Sequence, residues 1–389
     1  MIRSNVLVAA MCAILASVNM FAQKPSVADM NKNLPKKWEI LKPDTTCVYA
    51  IKGTDTLRLD VYKPLEGSET MYNGKVKPTI LYVFGGAFVT GERDAILQLR
   101  WYKKLVEEGF PVVAIDYRLA LKNFFMPNQA TSGNQTGKSG KKPKVKKMEM
   151  AKMLPVALQQ SVEDLYTATA YLLEHGDEFG VDARNMVVTG SSAGAMAVLQ
   201  ADYQMCNHDY FTERWSKEVV KTGKNQKKMT KYIAAQARID ALNQLPRDFR
   251  YSGVISFSGG VWSTESRPDY REATPVPTLL IHGVDDRIVT FKQIRFFNYG
   301  FFGSSKLVSR LDRYDCSWRF MRYTGCGHEI AGSMTPTFTE QLTFIYENVM
   351  DGKHKIVDAT LQEPGIDSRF RMRTARDITS FYQLNMVEQ

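Results

Sequence analysis

The strongest constraint on the fold is an alternation of buried-strand and helix patterns between about residues 47 and 350. Residues 79–84 and 111–117 are continuous apolar runs, and 95–108 between them carries apolar residues at helical spacing. Continuous apolar runs are typical of parallel strands that are covered on both faces. Strands that alternate with helices form such sheets, so the sequence predicts an α/β fold with a mostly parallel central sheet and helices on both faces.

The remaining patterns extend the same alternation. An early antiparallel edge strand is predicted at 56–62, and a helix with one apolar face is predicted at 156–174. Later elements are strands at 254–257, 278–282 and 318–323 and a helix at 337–349.

The first 22 residues have the layout of a secretory signal peptide. A positive start at Arg3 precedes an apolar run over 6–16, and small and polar residues then lead to Ala22. The run is too short for a permanent membrane anchor. We therefore expect cleavage after Ala22 and an exported protein, periplasmic or secreted, with no stable membrane anchor.

The rest of the chain is predicted to be one α/β domain over 23–350 with two cap-like insertions and a C-terminal extension over 351–389. The insertion at about 121–153 is rich in Lys, Gly, Asn and Ser. The insertion at about 208–249 looks helical and charged, and we favour it as a cap over the carboxyl edge of the sheet. Aromatic residues in the extension indicate that it packs against the domain.

Charge and cysteine content limit the partners. The formal net charge is +10, and much of it lies in the lysines of 138–152. This run lacks interleaved aromatics and any nucleic-acid motif, so a solvated loop is favoured and no nucleic-acid partner is expected.

The cysteines beyond the predicted signal peptide form no metal-type Cys-x-x-Cys pair; Cys316 and Cys326 are the first pair to test for a disulfide.

Residues 190–194 read Gly-Ser-Ser-Ala-Gly, the pattern of a nucleophile between a strand and a helix. The preceding run, 186–189, is apolar and β-branched, and the following residues favour a helix. A serine in so tight a turn would stand above the sheet, and the flanking glycines would remove colliding side chains. We predict Ser192 as the nucleophile, although the pattern alone also fits a Gly/Ser loop.

A serine nucleophile needs a base, and that base needs an orienting carboxylate. His328 lies in a Gly-rich loop directly after the last predicted strand, where an imidazole could reach the serine. Asp285 and Asp286 follow the strand at 278–282, and one of the two is expected to be the acid. The chain order of serine, acid and histidine is the one that α/β-hydrolase topology requires.

Backbone N–H groups are needed for the oxyanion of the tetrahedral intermediate. Gly86 and Ala87 follow an early strand, where small residues let the backbone approach a substrate oxygen. We predict that the amides of Gly86, Ala87 and Ala193 are the donors.

With these motifs, the chain resembles the α/β hydrolases of the carboxylesterase and hormone-sensitive-lipase-like group over roughly residues 45–350. The similar motifs are Phe84-Gly85-Gly86-Ala87-Phe88 (His-Gly-Gly-Gly-Phe in the group), Asp116-Tyr117-Arg118-Leu119-Ala120, Val181-Asp182-Ala183-Arg184-Asn185 and His282-Gly283-x-x-Asp286. The resemblance implies the α/β-hydrolase fold. It also implies Asp286 rather than Asp285 as the acid, because the group's acid is the fifth residue of the His-Gly motif.

Three departures from the group carry consequences. Phe84 stands in place of a histidine, which changes the hydrogen bonding that orders residues 84–88, the loop of Gly86 and Ala87 that we call the oxyanion loop. Ala87 stands in place of a glycine, which is tolerable only if the backbone there needs no positive φ. The Lys-rich insertion replaces the Pro-Glu that follows Leu-Ala, so the group's usual pockets are not carried over to this chain.

The sequence therefore predicts an exported serine esterase that cleaves small-molecule or carbohydrate esters through an acyl-enzyme, with no cofactor and no metal. A secreted serine peptidase or amidase stays open, because the same triad cleaves amides. A catalytically silent binding protein is the third hypothesis, and the complete set of serine, aspartate and histidine counts against it.

Overall fold

The computed structural model describes residues 36–122, 147–223, 229–265, 267–296 and 299–362. The predicted signal peptide (1–22), most of the predicted insertion at 121–153 and residues 363–389 of the predicted extension lie outside the described residues.

The central sheet has nine strands in the order β1-β2-β6-β5-β7-β8-β10-β13-β14. The first two pairings, β1 with β2 and β2 with β6, are antiparallel, and the others are parallel. The predicted mostly parallel sheet is confirmed. Its strands are β1 (Thr45–Lys52), β2 (Asp55–Tyr62), β5 (Thr79–Val83), β6 (Val112–Ile115), β7 (Met186–Ser191), β8 (Gly253–Phe257), β10 (Thr278–Gly283), β13 (Trp318–Thr324) and β14 (Ile356–Gln362).

The described helices comprise a short one before β1 and others that follow the strands of the sheet. They are α1 (Lys37–Ile40), α2 (Ile96–Glu107), α3 (Lys147–Phe179), α4 (Ala193–Met205), α5 (His208–Gly223), α6 (Met229–Asn243), α7 (Ser304–Leu311) and α8 (Phe338–Phe344), with a 3₁₀ helix at His328–Gly332 and a π-helix at Ile345–Met350. The chain moves one way across the sheet from β5 to β6 and the other way from β6 through β7 to β8. Because such crossovers are right-handed, α2 lies on one face and α3 and α4 lie on the other.

The order of the strands reverses at β5, which has β6 on one side and β7 on the other. All residues of these three strands are buried, which explains their continuous apolar sequences. In open α/β sheets, a crevice forms beyond the carboxyl ends of the strands where the order reverses, and ligands bind there. The loops that follow β5 and β7 carry the predicted oxyanion donors and the predicted nucleophile.

Three parts of the fold differ from the sequence pattern. The helix predicted at 156–174 begins earlier and continues through Pro155, because residues 147–154 are strong helix formers that outweigh the lost hydrogen bond. A three-stranded sheet of β9 (Gly260–Ser263), β12 (Tyr299–Gly303) and β11 (Gln293–Phe296) was not predicted, and neither was the hairpin of β3 (Met71–Tyr72) and β4 (Lys75–Val76). Strand β14 lies beyond residue 350, so the sheet includes part of the predicted extension.

The predicted insertion at 208–249 contains α5 and α6, which pack against each other. It leaves from the end of α4 and returns to the start of β8. On α5, Tyr210 donates a hydrogen bond to Glu265, which follows β9. The function of this helical pair as a cap stays a prediction.

Within the described ranges, no helix is both long and apolar enough to cross a membrane.

The structure contains no disulfide among the described cysteines, which are the free thiols Cys47, Cys206, Cys316 and Cys326. The pairing of Cys316 with Cys326 is therefore wrong. These two residues flank β13 at opposite ends, and a strand of seven residues separates them by far more than a disulfide can span.

Asp202 is a buried acid in the middle of the fold, on α4. Its carboxylate accepts a hydrogen bond from the Cys206 thiol, 3.8 Å away, and one from the Val276 amide. Burial raises the pKa of Asp202 to about 7, although the charge of Arg250 and the Val276 N–H act in the opposite direction.

We expect Asp202→Asn to raise the melting temperature at pH 8 more than at pH 5. A carboxyl whose pKa is raised on folding favours the folded state at low pH, and that contribution is lost as the pH rises through the folded-state value of about 7. Asparagine has the same shape and does not ionise. Thermal unfolding of both proteins at the two pH values measures the effect, and a shift that is the same at both would contradict it.

Candidate active site

Ser192 occupies a sharp turn between the end of β7 and the start of α4. Its backbone has φ 51° and ψ −113°, a left-handed conformation that is costly for a residue with a Cβ. The Ser192 N–H donates to the carbonyl of Phe257 on β8 at 2.8 Å. The strained turn therefore depends on the neighbouring strand, as predicted for an exposed nucleophile above a sheet.

The two glycines of the turn are needed because backbones meet there. A Cβ on Gly190 would lie 2.4 Å from the backbone carbonyl of Gly194. A Cβ on Gly194 would lie 2.0 Å from the carbonyl oxygen of Val83, at the end of β5. Any larger residue would push the turn away from β5 and from the loop that follows it.

His328 reaches the serine from the loop after β13. The chain leaves β13 through Gly325-Cys326-Gly327, and the 3₁₀ helix begins at His328. The His328 Nε2 lies 2.8 Å from the Ser192 Oγ, so the hydroxyl can donate its proton to the ring. The structure thus brings together the predicted nucleophile and the predicted base.

Asp286 completes the series on the loop after β10. Its Oδ2 accepts a hydrogen bond from the His328 Nδ1 at 2.8 Å. Its Oδ1 accepts from the backbone amides of Ile288 at 2.9 Å and Val289 at 3.0 Å. Asp286, rather than Asp285, therefore faces the histidine, while the Asp285 N–H donates to a carbonyl of the His328 loop.

The Asp286 carboxyl is ionised although it is buried. Burial raises its pKa, but the charge of His328 and hydrogen bonds from His282 and His328 outweigh that cost and hold the pKa well below its ordinary value. A carboxylate in this position keeps the hydrogen of His328 on Nδ1 and leaves Nε2 free to accept the serine proton.

The predicted oxyanion donors lie beside Ser192. The N–H of Ala193 is the first of its helix and has no intrahelical acceptor. Among the described residues, the N–H groups of Gly86 and Ala87 make no backbone hydrogen bond. A Cβ on Gly85 would lie 2.9 Å from the Ser191 carbonyl and 3.1 Å from the Ser192 Cβ, which shows how closely this loop approaches the serine.

The condition under which an alanine was expected to be tolerable at position 87, a backbone that needs no positive φ, is not met. Ala87 has φ 55° and Phe88 has φ 61°, so both lie in the left-handed region. The cost for an alanine is about 1 kcal/mol. Burial of the Phe88 ring and two hydrogen bonds to the Gly86 carbonyl, from Val89 and Thr90, hold the loop in this conformation.

An aromatic contact orders the loop at Phe84, the position where the hydrolase group that the sequence resembles has a histidine. The Phe84 ring stacks on Tyr117 with 4.5 Å between ring centroids, and the Tyr117 hydroxyl donates to the Phe84 carbonyl at 3.1 Å. Leu121 N–H donates to the carbonyl of Phe88 at 3.0 Å. The segment after β6 therefore supports the oxyanion loop at both ends.

The charged residues beside Tyr117 fix the same segment. Asp116 accepts hydrogen bonds from Arg93, which follows the oxyanion loop, at 2.9 and 3.0 Å. Arg118 binds Asp164 and Glu163 on α3. These contacts explain why an Asp-Tyr-Arg sequence accompanies the oxyanion loop.

Sequence reasoning assigned no role to two buried residues behind the acid, His282 and Ser304. The His282 Nε2 lies 3.2 Å from the Asp286 Oδ2, and the His282 Nδ1 lies 2.7 Å from the Ser304 Oγ. A polar ring inside an otherwise apolar strand, four residues before the acid, was the available signal.

Ser191 was also assigned no partner. Its hydroxyl lies 3.0 Å from the hydroxyl of Tyr82, which accepts a hydrogen bond from Gln98 at 3.3 Å. The hydroxyl of the first serine of the motif is therefore paired with Tyr82, whereas that of Ser192 is paired with His328.

Comparison with known proteins gives one family match, over part of the chain. Residues 154–299 match the model of the BD-FAE family, an α/β-hydrolase-type esterase family. No protein with a curated function matches the sequence.

Solved structures of esterases are also similar to the chain. The esterase Est2 from Thermogutta terrifontis is 15% identical, with a TM-score of 0.47 over 82% of this chain and 95% of that one. A truncated carbohydrate esterase from gut microbiota is 14% identical, with a TM-score of 0.45 over 79% of this chain and 97% of that one. The fold itself is assigned from the strand order, the strand–turn–helix at Ser192 and the family match.

We expect Gly85→Ala to slow the reaction of Ser192 with a fluorophosphonate probe by about 100-fold, the effect of losing one oxyanion donor. The new methyl group would meet Ser191 and Ser192 and push the oxyanion loop away from the serine. Gly74→Ala is the control: its φ is +75° and no atom lies within 4 Å of the new Cβ, so stability should fall and labelling should not. Equal labelling rates for Gly85→Ala and wild type would contradict the placement of the loop.

Proposed function

We propose that this chain, esterase-like in its α/β-hydrolase fold and in its family match, is a serine esterase that hydrolyses carboxylic esters through an acyl-enzyme. One observation carries the proposal: Ser192, His328 and Asp286 form a continuous hydrogen-bonded series at the carboxyl edge of the sheet, with both links at 2.8 Å.

Acylation begins with proton transfer. The His328 Nε2 accepts the proton of the Ser192 hydroxyl while the Oγ attacks the acyl carbon of the ester. The negative oxygen of the tetrahedral intermediate accepts hydrogen bonds from the amides of Gly86, Ala87 and Ala193. Asp286 stabilises the positive charge that develops on His328.

Collapse of the intermediate releases the alcohol. The His328 Nε2–H donates its proton to the leaving oxygen, and the acyl group stays on Ser192. A water molecule then attacks the acyl carbon while His328 accepts its proton. The second tetrahedral intermediate then collapses: His328 donates the proton to the Ser192 Oγ, and the carboxylic acid is released. The serine and the histidine are thereby restored to their starting states.

The substrate class and the location belong to the same proposal. We propose a small acyl group on a small-molecule or carbohydrate alcohol, because no long apolar helix that could act as a lid is found in the part of the chain that the structure describes. We also propose export, supported by the charged start, apolar run and small residues of positions 1–22.

We expect Ser192→Ala to lower kcat for p-nitrophenyl acetate by at least about 10⁴-fold, because loss of the nucleophile removes the acyl-enzyme route. Ser309→Ala is the control, since this exposed serine donates to the Lys306 carbonyl of its own helix and has no other hydrogen bond among the described residues. Turnover by Ser192→Ala equal to that of wild type would sink the proposal. Faster cleavage of aminoacyl amides than of esters by wild type would make the chain a peptidase.

We expect Asp286→Asn to lower kcat by about 10³- to 10⁴-fold, because an amide at this position allows the wrong tautomer of His328. Asp285→Asn should leave kcat within about threefold, because Asp286 is the acid that bonds His328 and asparagine keeps the N–H of position 285 that bonds the Cys326 carbonyl. The steady-state kinetics of the two variants decide between the adjacent acids. A larger loss for Asp285→Asn would reverse the assignment.

A further inference from the structure

His282 lies directly behind the carboxylate of Asp286. It is the fifth residue of β10, four positions before Asp286, and its side chain is completely buried. The Nε2 atom lies 3.2 Å from the Asp286 Oδ2, the same oxygen that accepts the hydrogen bond of His328. Two imidazole rings therefore approach one carboxylate oxygen from different elements.

The contacts of the ring define which nitrogen carries the hydrogen. The His282 Nε2 lies between two acceptors, the Asp286 carboxylate and the Val289 carbonyl at 3.0 Å, so it must be a donor. The Nδ1 atom lies 2.7 Å from the hydroxyl of the fully buried Ser304. The other acceptor within reach of that hydroxyl, the Gly259 carbonyl, is farther away at 3.4 Å, so the hydroxyl donates to Nδ1 at the shorter distance. The ring is thus the Nε2–H tautomer, aimed at Asp286.

Aromatic packing keeps the His282 ring in this orientation. Phe291 contacts its edge at 5.5 Å between ring centroids, nearly perpendicular, and itself stacks on Phe320. The charged or titratable partners that the structure gives to His282 are Asp286 and, across that carboxylate, His328.

We propose that His282 is a positioning residue: its Nε2–H pins the Asp286 carboxylate in the orientation that His328 needs, and Ser304 fixes the tautomer that makes this donation possible. The inference rests on the proposed function, because it assigns a role within the same triad.

The geometry explains why a second donor on Oδ2 matters. Asp286 lies in the loop after β10, and its Oδ1 is held by the amides of Ile288 and Val289. A carboxylate held through one oxygen can still turn about its Cβ–Cγ bond, and Oδ2 would then leave the line to His328. The donor on Oδ2 comes from a fully buried strand, so it fixes the plane of the carboxylate against a rigid element. Partners behind metal-binding side chains commonly change activity by about 10- to 100-fold, and we expect an effect of the same order for a partner of the triad acid.

The test compares two side chains of similar shape that differ in the donor. His282→Gln supplies an amide N–H at nearly the same reach, whereas His282→Met fills the space without a donor. With p-nitrophenyl acetate, we expect His282→Met to lower kcat by about 30-fold with KM within about twofold, because a hydrogen bond to a charged group is lost. His282→Gln should recover kcat to within about fivefold of wild type. The low-field proton resonance of the His328 Nδ1–H should persist in His282→Gln and be lost or shifted in His282→Met.

Thr278→Val is the control for stability. It removes a buried hydrogen bond at the opposite end of the same strand, to the Val276 carbonyl, and does not touch Asp286. Its melting temperature should fall while its kcat stays at the wild-type value. If His282→Met does not fold, His282→Asn replaces it, because its amide is too short to reach Asp286 and the same loss of kcat is expected.

The outcomes separate the two proposals. Unchanged kcat in the donor-free variant overturns the role of His282, and so does a loss in His282→Gln as large as that in His282→Met. An inactive wild type, or Ser192→Ala with wild-type turnover, overturns the proposed function instead and is seen before any His282 variant is measured.

Discussion

The site depends on the close approach of three backbones at the carboxyl edge of the sheet. Gly194 passes so near the end of β5 that a Cβ would lie 2.0 Å from the Val83 oxygen, and the Ser192 N–H binds the carbonyl of Phe257 on β8. Gly85 closes against the serine turn from the other side. Because no side chain fits between these segments, close backbone packing sets the distance between the nucleophile and the oxyanion loop. The aromatic contacts of Phe84 and Phe88 then hold the loop from behind.

The buried Asp286 can carry a negative charge because hydrogen-bond donors of the protein surround its carboxylate. Removing a carboxylate from water is costly, and here four N–H groups replace the water: two amides and two imidazoles. The donors come from the acid's own loop, from β10 and from the loop after β13. A charge can therefore remain in a buried position only when these elements are assembled, which links the ionised state of the acid to the folded sheet.

Local patterns predicted much of this structure, and contacts between distant segments account for what they missed. The apolar runs that became β5, β6 and β7 were predicted because each strand is buried on both faces, and the order of Ser192, Asp286 and His328 followed from the topology. The φ of Ala87 could not be read from its sequence, because the packing of Phe88 decides it. The contact of His282 with Asp286 could not be predicted, because it depends on side-chain directions at the end of a strand. The position of β14 in the sheet could not be predicted either, because β14 pairs with a strand that ends more than thirty residues earlier.

The parallel pairing of β14 with β13 has a consequence for where this protein can be shortened. Strand β13 leads into the loop that carries His328, and its seven residues are paired with β14, one of whose carbonyls, at Leu361, accepts a hydrogen bond from Thr324. A form that ended at residue 350 would leave the outer edge of β13 open. Such an edge is a template for strands of other molecules, so self-association would compete with the placement of the histidine loop. The smallest independent unit therefore extends to at least residue 362.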